Sequence, residues 1–166
     1  MNADELKAIQ TPLKERYRQA PEGALITLRA EGQVGAGVTC RVETGKALVE
    51  AGLHPATGGN GLAACSGDML LEALVACAGV TLGAVSTALG IELRKATVKA
   101  EGDLDFRGTL GVAKEAPVGF QRIRLHFDLE TTASAEQLAT LLRLTERYCV
   151  VYQTLNQRPE LTASIN

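Results

Sequence analysis

The chain has 166 residues, 46% of them hydrophobic and 22% charged, with a formal net charge of −2. That suits one domain over residues 1–166 with a sizeable buried core. No Lys/Arg cluster exceeds a few residues and tryptophan is absent, so neither the basic stripe of a nucleic-acid footprint nor an aromatic platform for stacked bases is expected. The opening Met1-Asn2-Ala3-Asp4-Glu5-Leu6-Lys7 lacks the basic segment and apolar stretch of a secretory signal. Four cysteines without such a signal read as reduced cytoplasmic thiols, some reactive, and not as a disulfide scaffold.

Residues 3–19 have helical character, interrupted by Pro12, with Leu6, Ile9, Leu13 and Tyr17 as a loose apolar stripe. A strand is expected over 24–30, then a Gly-rich turn over 31–37. Val38, Cys40 and Val42 alternate with Thr39, Arg41 and Glu43, predicting a second strand with one buried face. Thr44-Gly45-Lys46 turns the chain into a third strand over 47–50, completing an antiparallel meander. Residues 54–66 read as a loop. The run Thr57-Gly58-Gly59-Asn60-Gly61 has no strand before it and no Lys-Ser/Thr after it, so it is a connection and not a phosphate cradle.

From about Gly67 to Leu89 the spacing predicts a long helix, apolar on nearly every face. It is long enough on paper to span a bilayer. Glu72, Thr81, Ser86 and Thr87 within it, Asp68 at its start and the missing cationic flank argue instead for a helix surrounded by protein. Strands follow over 96–106 and 122–130. In the second, Ile123, Leu125, Phe127 and Leu129 alternate with Arg122, Arg124, His126, Asp128 and Glu130. Ser134-Ala135-Glu136-Gln137 is a capping-box pattern opening a helix that carries Leu138, Leu141, Leu142, Tyr148, Cys149, Tyr152 and Leu155. Arg158-Pro159 ends it, and Leu161, Ala163 and Ile165 suggest a last short strand. Two groups of antiparallel strands around a long buried helix make an α+β fold. One small sheet covers one side of that helix, so a second copy of the chain is the natural cover for the rest.

The cysteines differ in their settings. Cys40 shares a strand face with Val38 and Val42 and reads as a small core hydrophobe. Cys65 precedes the long helix, where a helix N-terminus favours a thiolate, but nothing nearby is arranged to use it. Cys77 lies mid-helix among Ala73, Ala76, Ala78 and Gly79, which leave room beside the sulfur for a close helix crossing or a substrate. Cys149 lies late in the capped helix on its apolar face. Each alone reads as buried packing, and a disulfide would need Cα atoms about 4.4–6.8 Å apart. The cysteines lack CxxC spacing, and His54 and His126 are distant from them in sequence. Neither a metal site nor a Cys–His enzyme is expected, and no cofactor is implied.

With its helix Asp68-Met69-Leu70-Leu71-Glu72-Ala73-Leu74-Val75-Ala76-Cys77, and its second helix ending Glu146-Arg147-Tyr148-Cys149-Val150-Val151, the chain resembles the OsmC/Ohr family over nearly its whole length. Cys77 and Cys149 match that family's two cysteines, and the stretch from Leu6 to Tyr17 looks like that of a general OsmC-like subgroup. The resemblance implies an intertwined homodimer with sites at the subunit interface. It also implies reduction of organic hydroperoxides or peroxide. The first thiolate, Cys77, becomes a sulfenic acid, Cys149 condenses with it to a disulfide, and an external thiol reductant restores the pair.

Two positions depart from the family pattern. An arginine usually comes near the first cysteine from the turn after an early strand. Here Gln33 stands there, with Arg29 and Arg41 the nearest substitutes. The family's Pro-Glu before the helix is Ser66-Gly67-Asp68 here, with Asp68 the nearest acid. The retained cysteine pair points to a thiol peroxidase. Gln33 points to the alternative, a non-catalytic dimer of this fold that binds a small apolar or electrophilic ligand at the subunit interface. The third reading is a structural dimer whose cysteines are packing. No nucleic-acid or membrane partner is expected.

Overall fold

A computed structural model describes residues 2–5, 7, 8, 10, 11, 19, 31–35, 39–43, 48–111 and 113–165; for 31–35, 39–43 and 48 it describes backbone only. The chain divides into two compact units. One comprises Met1–Glu15, Ala73–Lys99 and His126–Asn166, the other Arg16–Glu72 and Ala100–Leu125.

In the second unit, β1 (Glu31–Gly35), β2 (Thr39–Glu43), β3 (Leu48–Gly52) and β4 (Ala64–Cys65) form a sheet in that order. The first three strands are an antiparallel meander, with Val34 opposite Cys40 and Cys40 opposite Ala51. The expected turn over 31–37 is corrected here, because residues 31–35 are a strand. Gly32 and Gly35 lower its intrinsic preference, but pairing along β2 overrides propensity. The strand expected over 24–30 lies outside the described residues.

The loop expected over 54–66 is also corrected. It contains a single 3-10 turn, Pro55–Thr57, and the two-residue β4, which pairs parallel to β3. The Nδ1 of His54 accepts from the Ala56 N–H at 3.0 Å and starts the turn, and Gly58 ends it at φ 93°, where a Cβ is disfavoured. Both pieces are too short to leave a periodic signal.

In the first unit, Asn2 and Glu5 cap the N-terminal helical residues reciprocally, each side chain accepting from the other's backbone N–H at 2.9 Å. Helix α1 (Ser66–Leu89) buries Leu74, Ala78, Leu82 and Ser86 at four-residue spacing. Leu82 joins Ile91 and Leu141 in a core flanked by Val85, Val98, Phe127 and Leu138. α1 is long and apolar enough to cross a membrane by length and composition, yet this stripe packs into the protein's own core. Within one chain the helix is covered on one side. Ala73, Ala76, Val80 and Gly83, on the opposite face, are exposed in the single chain, Val80 by 77%.

β5 (Lys95–Asp103) and β6 (Arg122–Glu130) make a two-stranded sheet. Hydrogen bonds from Arg94 N–H to Glu130 and from Gln121 N–H to Asp103 run it antiparallel. β5 stops three residues before Phe106, contrary to expectation. Asp105 accepts from the Arg107 N–H at 3.0 Å and caps a short helix, α2 (Phe106–Thr109). The Ser134–Gln137 capping box is present and opens α3 (Ala135–Tyr148). The expected continuous helix is two, because Cys149 is extended (φ −74°, ψ 108°) and α4 (Val150–Asn156) begins after it. The strand suggested by Leu161, Ala163 and Ile165 is absent. Residues 157–165 form no regular element and are exposed.

Candidate functional site

The turn at Cys149 creates the site. In an unbroken helix the N–H groups of Val150 and Val151 would bond to the carbonyls of Glu146 and Arg147. Cys149 instead closes α3 through its own N–H, 3.0 Å from the Thr145 carbonyl, and opens α4 as its cap. Its Sγ accepts from the Tyr152 N–H at 3.5 Å, and its carbonyl from the Gln153 N–H at 2.9 Å. The freed amides of Val150 and Val151 lie near enough to the sulfur of Cys77 on α1 to favour its anion. The Glu146 carbonyl is compensated by the Gln153 side chain, whose Nε2 donates to it at 2.8 Å.

Cys77 and Cys149 are free thiols near enough to influence each other, Cys77 half-buried and Cys149 buried. Their electrostatics are opposite. Burial pushes the Cys77 thiol up, but donation from Val151, Cys149, Val150 and Thr81 outweighs it and holds the pKa below the ordinary thiol value. Thr81 donates its one proton at 2.8 Å to the Cys77 carbonyl, so it serves the sulfur only by leaving that carbonyl. For Cys149, burial is the largest influence, and the Cys77 sulfur adds to it. Together they outweigh the Tyr152 and Val151 amides, and its thiol is raised. A negative charge on the pair therefore rests on Cys77 while Cys149 keeps its proton. Among the described residues, the groups that lower Cys77 are neutral donors.

Tyr152 lies beside the turn. Burial, followed by the charge of Glu146 and a hydrogen bond to it, raises its phenol.

The other residues singled out from the sequence belong to other elements. Cys65 is half-buried in β4, and a Cβ added at Gly67 would lie 3.6 Å from its sulfur. Cys40 is paired through its backbone in β2. Gln33 and Arg41 are opposite each other in the β1–β2 register, while their side chains and Arg29 lie outside the described residues. Asp68 is exposed in the first turn of α1. It is nine residues before Cys77, about 13 Å of helical rise, too far to bond that sulfur within the chain. His126 is exposed on β6, whereas His54 is stacked on Phe106 with ring centroids 4.8 Å apart.

Sequence reasoning missed the Val150 and Val151 amides, Thr81 and Gln153. The signal available was weak: two β-branched residues after a cysteine that can cap a helix as serine does.

The profile of the family described as OsmC-like protein matches residues 58–164. No curated protein matches the sequence. Among solved structures, the fold is similar to an OsmC-like protein from Mycoplasma pneumoniae (TM-score 0.66, 16% identity, covering 80% of this chain and 89% of that one). It is also similar to an organic hydroperoxide resistance protein from Elizabethkingia anophelis (0.63, 18%, 81% and 91%). A third likeness is to the organic hydroperoxide resistance protein OhrB of Bacillus subtilis (0.53, 16%, 80% and 93%).

Proposed function

We propose that this chain, which belongs to the OsmC-like protein family, is a cytoplasmic thiol peroxidase that acts as a homodimer, with Cys77 as the attacking sulfur and Cys149 as the resolving one. The observation that carries this reading is the meeting of two free thiols, Cys77 on α1 and Cys149 at the cap between α3 and α4, with burial raising both and backbone donation favouring the anion on Cys77. A free thiol has a pKa of about 8.5 and is only a few per cent thiolate at neutral pH, so a nucleophilic cysteine needs its anion favoured. The Val151 and Val150 amides and the Cys149 thiol supply that among the described residues. Proteins of the same fold are named for organic hydroperoxide resistance, which supports a hydroperoxide as the oxidant.

In this reaction the Cys77 thiolate attacks one peroxide oxygen and the O–O bond breaks. The sulfur is oxidised to a sulfenic acid, and the alkoxide leaves and takes a proton to become an alcohol. The Cys149 sulfur then attacks the Cys77 sulfur. A disulfide forms, the S–O bond breaks, and the departing hydroxide leaves as water with the Cys149 proton. Two equivalents of an external thiol reduce the disulfide and are themselves oxidised. The uncovered apolar stripe of α1 supports the dimer, since a second copy of the same stripe would remove it from water.

Titrating native thiols after one equivalent of organic hydroperoxide tests the reading. Two thiols disappear together, and the same two disappear in a variant carrying Cys40→Ser and Cys65→Ser. Turnover in that variant is expected to be largely retained, because neither cysteine sits at a cysteine position of the family. Loss of turnover as complete as that caused by Cys77→Ser would mean that the wrong pair has been assigned. Two intact thiols after excess peroxide would favour the non-catalytic, ligand-binding dimer.

A further inference from the structure

The turn at Cys149 has no proline or glycine to enforce it, so something else must hold it. Breaking the helix there removes the partner of the Glu146 carbonyl in a part-buried setting, where an unmade hydrogen bond is costly. The Gln153 amide supplies that partner at 2.8 Å. The carbonyl, a pure acceptor, requires Nε2 on that side, and Gln157 Nε2 donates to the remaining Gln153 Oε1 at 3.1 Å. The Gln153 backbone N–H bonds to the Cys149 carbonyl at 2.9 Å, so one residue grips both sides of the turn.

We infer that Gln153 is a positioning residue for Cys77: by holding the Glu146 carbonyl it keeps the chain turned at Cys149 and the Val150 and Val151 amides aimed at the Cys77 sulfur. The alternative geometry is the continuous helix, in which those amides return to Glu146 and Arg147 and Cys77 loses both donors. Gln153 never touches the sulfur and acts only through the backbone it fixes. The role deepens the peroxidase reading and rests on it for its purpose, but the geometry is tested without peroxide.

The test is Gln153→Met, which keeps the length of the side chain and removes the donor. The full-length protein is alkylated with limiting iodoacetamide across a pH series, and modification of Cys77 and Cys65 is read separately by peptide mass spectrometry. The Cys77 profile is expected to move to higher pH by about one unit, about a tenfold loss of reactive thiolate at neutral pH, with the Cys65 profile unmoved. Gln157→Met, which only releases the orienting bond, is expected to shift Cys77 the same way by less. An unmoved Cys77 profile in Gln153→Met, even with a lowered melting temperature, makes the residue merely structural and overturns the inference. If Gln153→Met does not fold, an unmoved profile in Gln157→Met overturns it instead. A shifted profile in a protein that consumes no peroxide would uphold the positioning role while the peroxidase reading fails.

Discussion

Replacing Cys77 with Ser lowers peroxide consumption by at least about a thousandfold, as removal of a nucleophile does elsewhere. Serine keeps the volume and loses the sulfur that takes up the peroxide oxygen. Replacing Cys149 with Ser has a different signature. The first turnover survives, because Cys77 keeps the Val150 and Val151 amides and the serine hydroxyl replaces one thiol donor. Cys77 then stops as sulfenic acid and is overoxidised by excess peroxide. Stopped-flow mixing with cumene hydroperoxide separates the two, giving no burst in the first variant and a burst of one equivalent in the second. The pH dependence follows from the lowered Cys77 pKa. The thiolate is the reactive form, so the burst rate falls as pH drops through that pKa and is level above it. The fall lies on the acid side of the range of an ordinary thiol.

Val80→Asp separates the two copies of the chain. Val80 is 77% exposed at the centre of the α1 face that also carries Ala73, Ala76 and Gly83. In a two-fold dimer each substitution occurs twice, so two carboxylates would face each other in an apolar contact. Each unpaired buried charge costs about 3–5 kcal/mol, which raises the dissociation constant by well over about a hundredfold. Analytical ultracentrifugation at low micromolar concentration should find the parent wholly dimeric. The variant should be largely monomeric with a reduced melting temperature. A folded, monomeric parent, or a variant that sediments like the parent, would contradict the dimer.

What could be read from the sequence was what local pattern encodes. The capping box at Ser134 and Gln137 needs two residues three apart and is present. The long helix was equally clear, since 24 mostly apolar residues without a proline leave little else. β1 was not legible, because Gly32 and Gly35 look like a turn until β2 pairs with them. β4 is two residues held by a parallel neighbour, a non-local pairing with no signature of its own. The break at Cys149 was hidden because cysteine is not a helix breaker.

The site divides along the same line. Cys77 could be singled out by its small neighbours, and the pair by family resemblance. The groups that differentiate the two sulfurs are chiefly main-chain amides of Val150 and Val151, and a main-chain donor carries no side-chain signal. The side chains of Gln33, Arg29 and Arg41, among which the family pattern places a cation, lie outside the described residues.

The central claim is that Cys77 and Cys149 form one redox pair. Its most direct test is peptide mass spectrometry of the full chain after one equivalent of cumene hydroperoxide, with free thiols blocked before digestion. The expected result is a Cys77–Cys149 cross-linked peptide that disappears on reduction, with Cys40 and Cys65 recovered as blocked thiols. Recovery of Cys77 and Cys149 as two unmodified, blocked thiols after excess peroxide would contradict it.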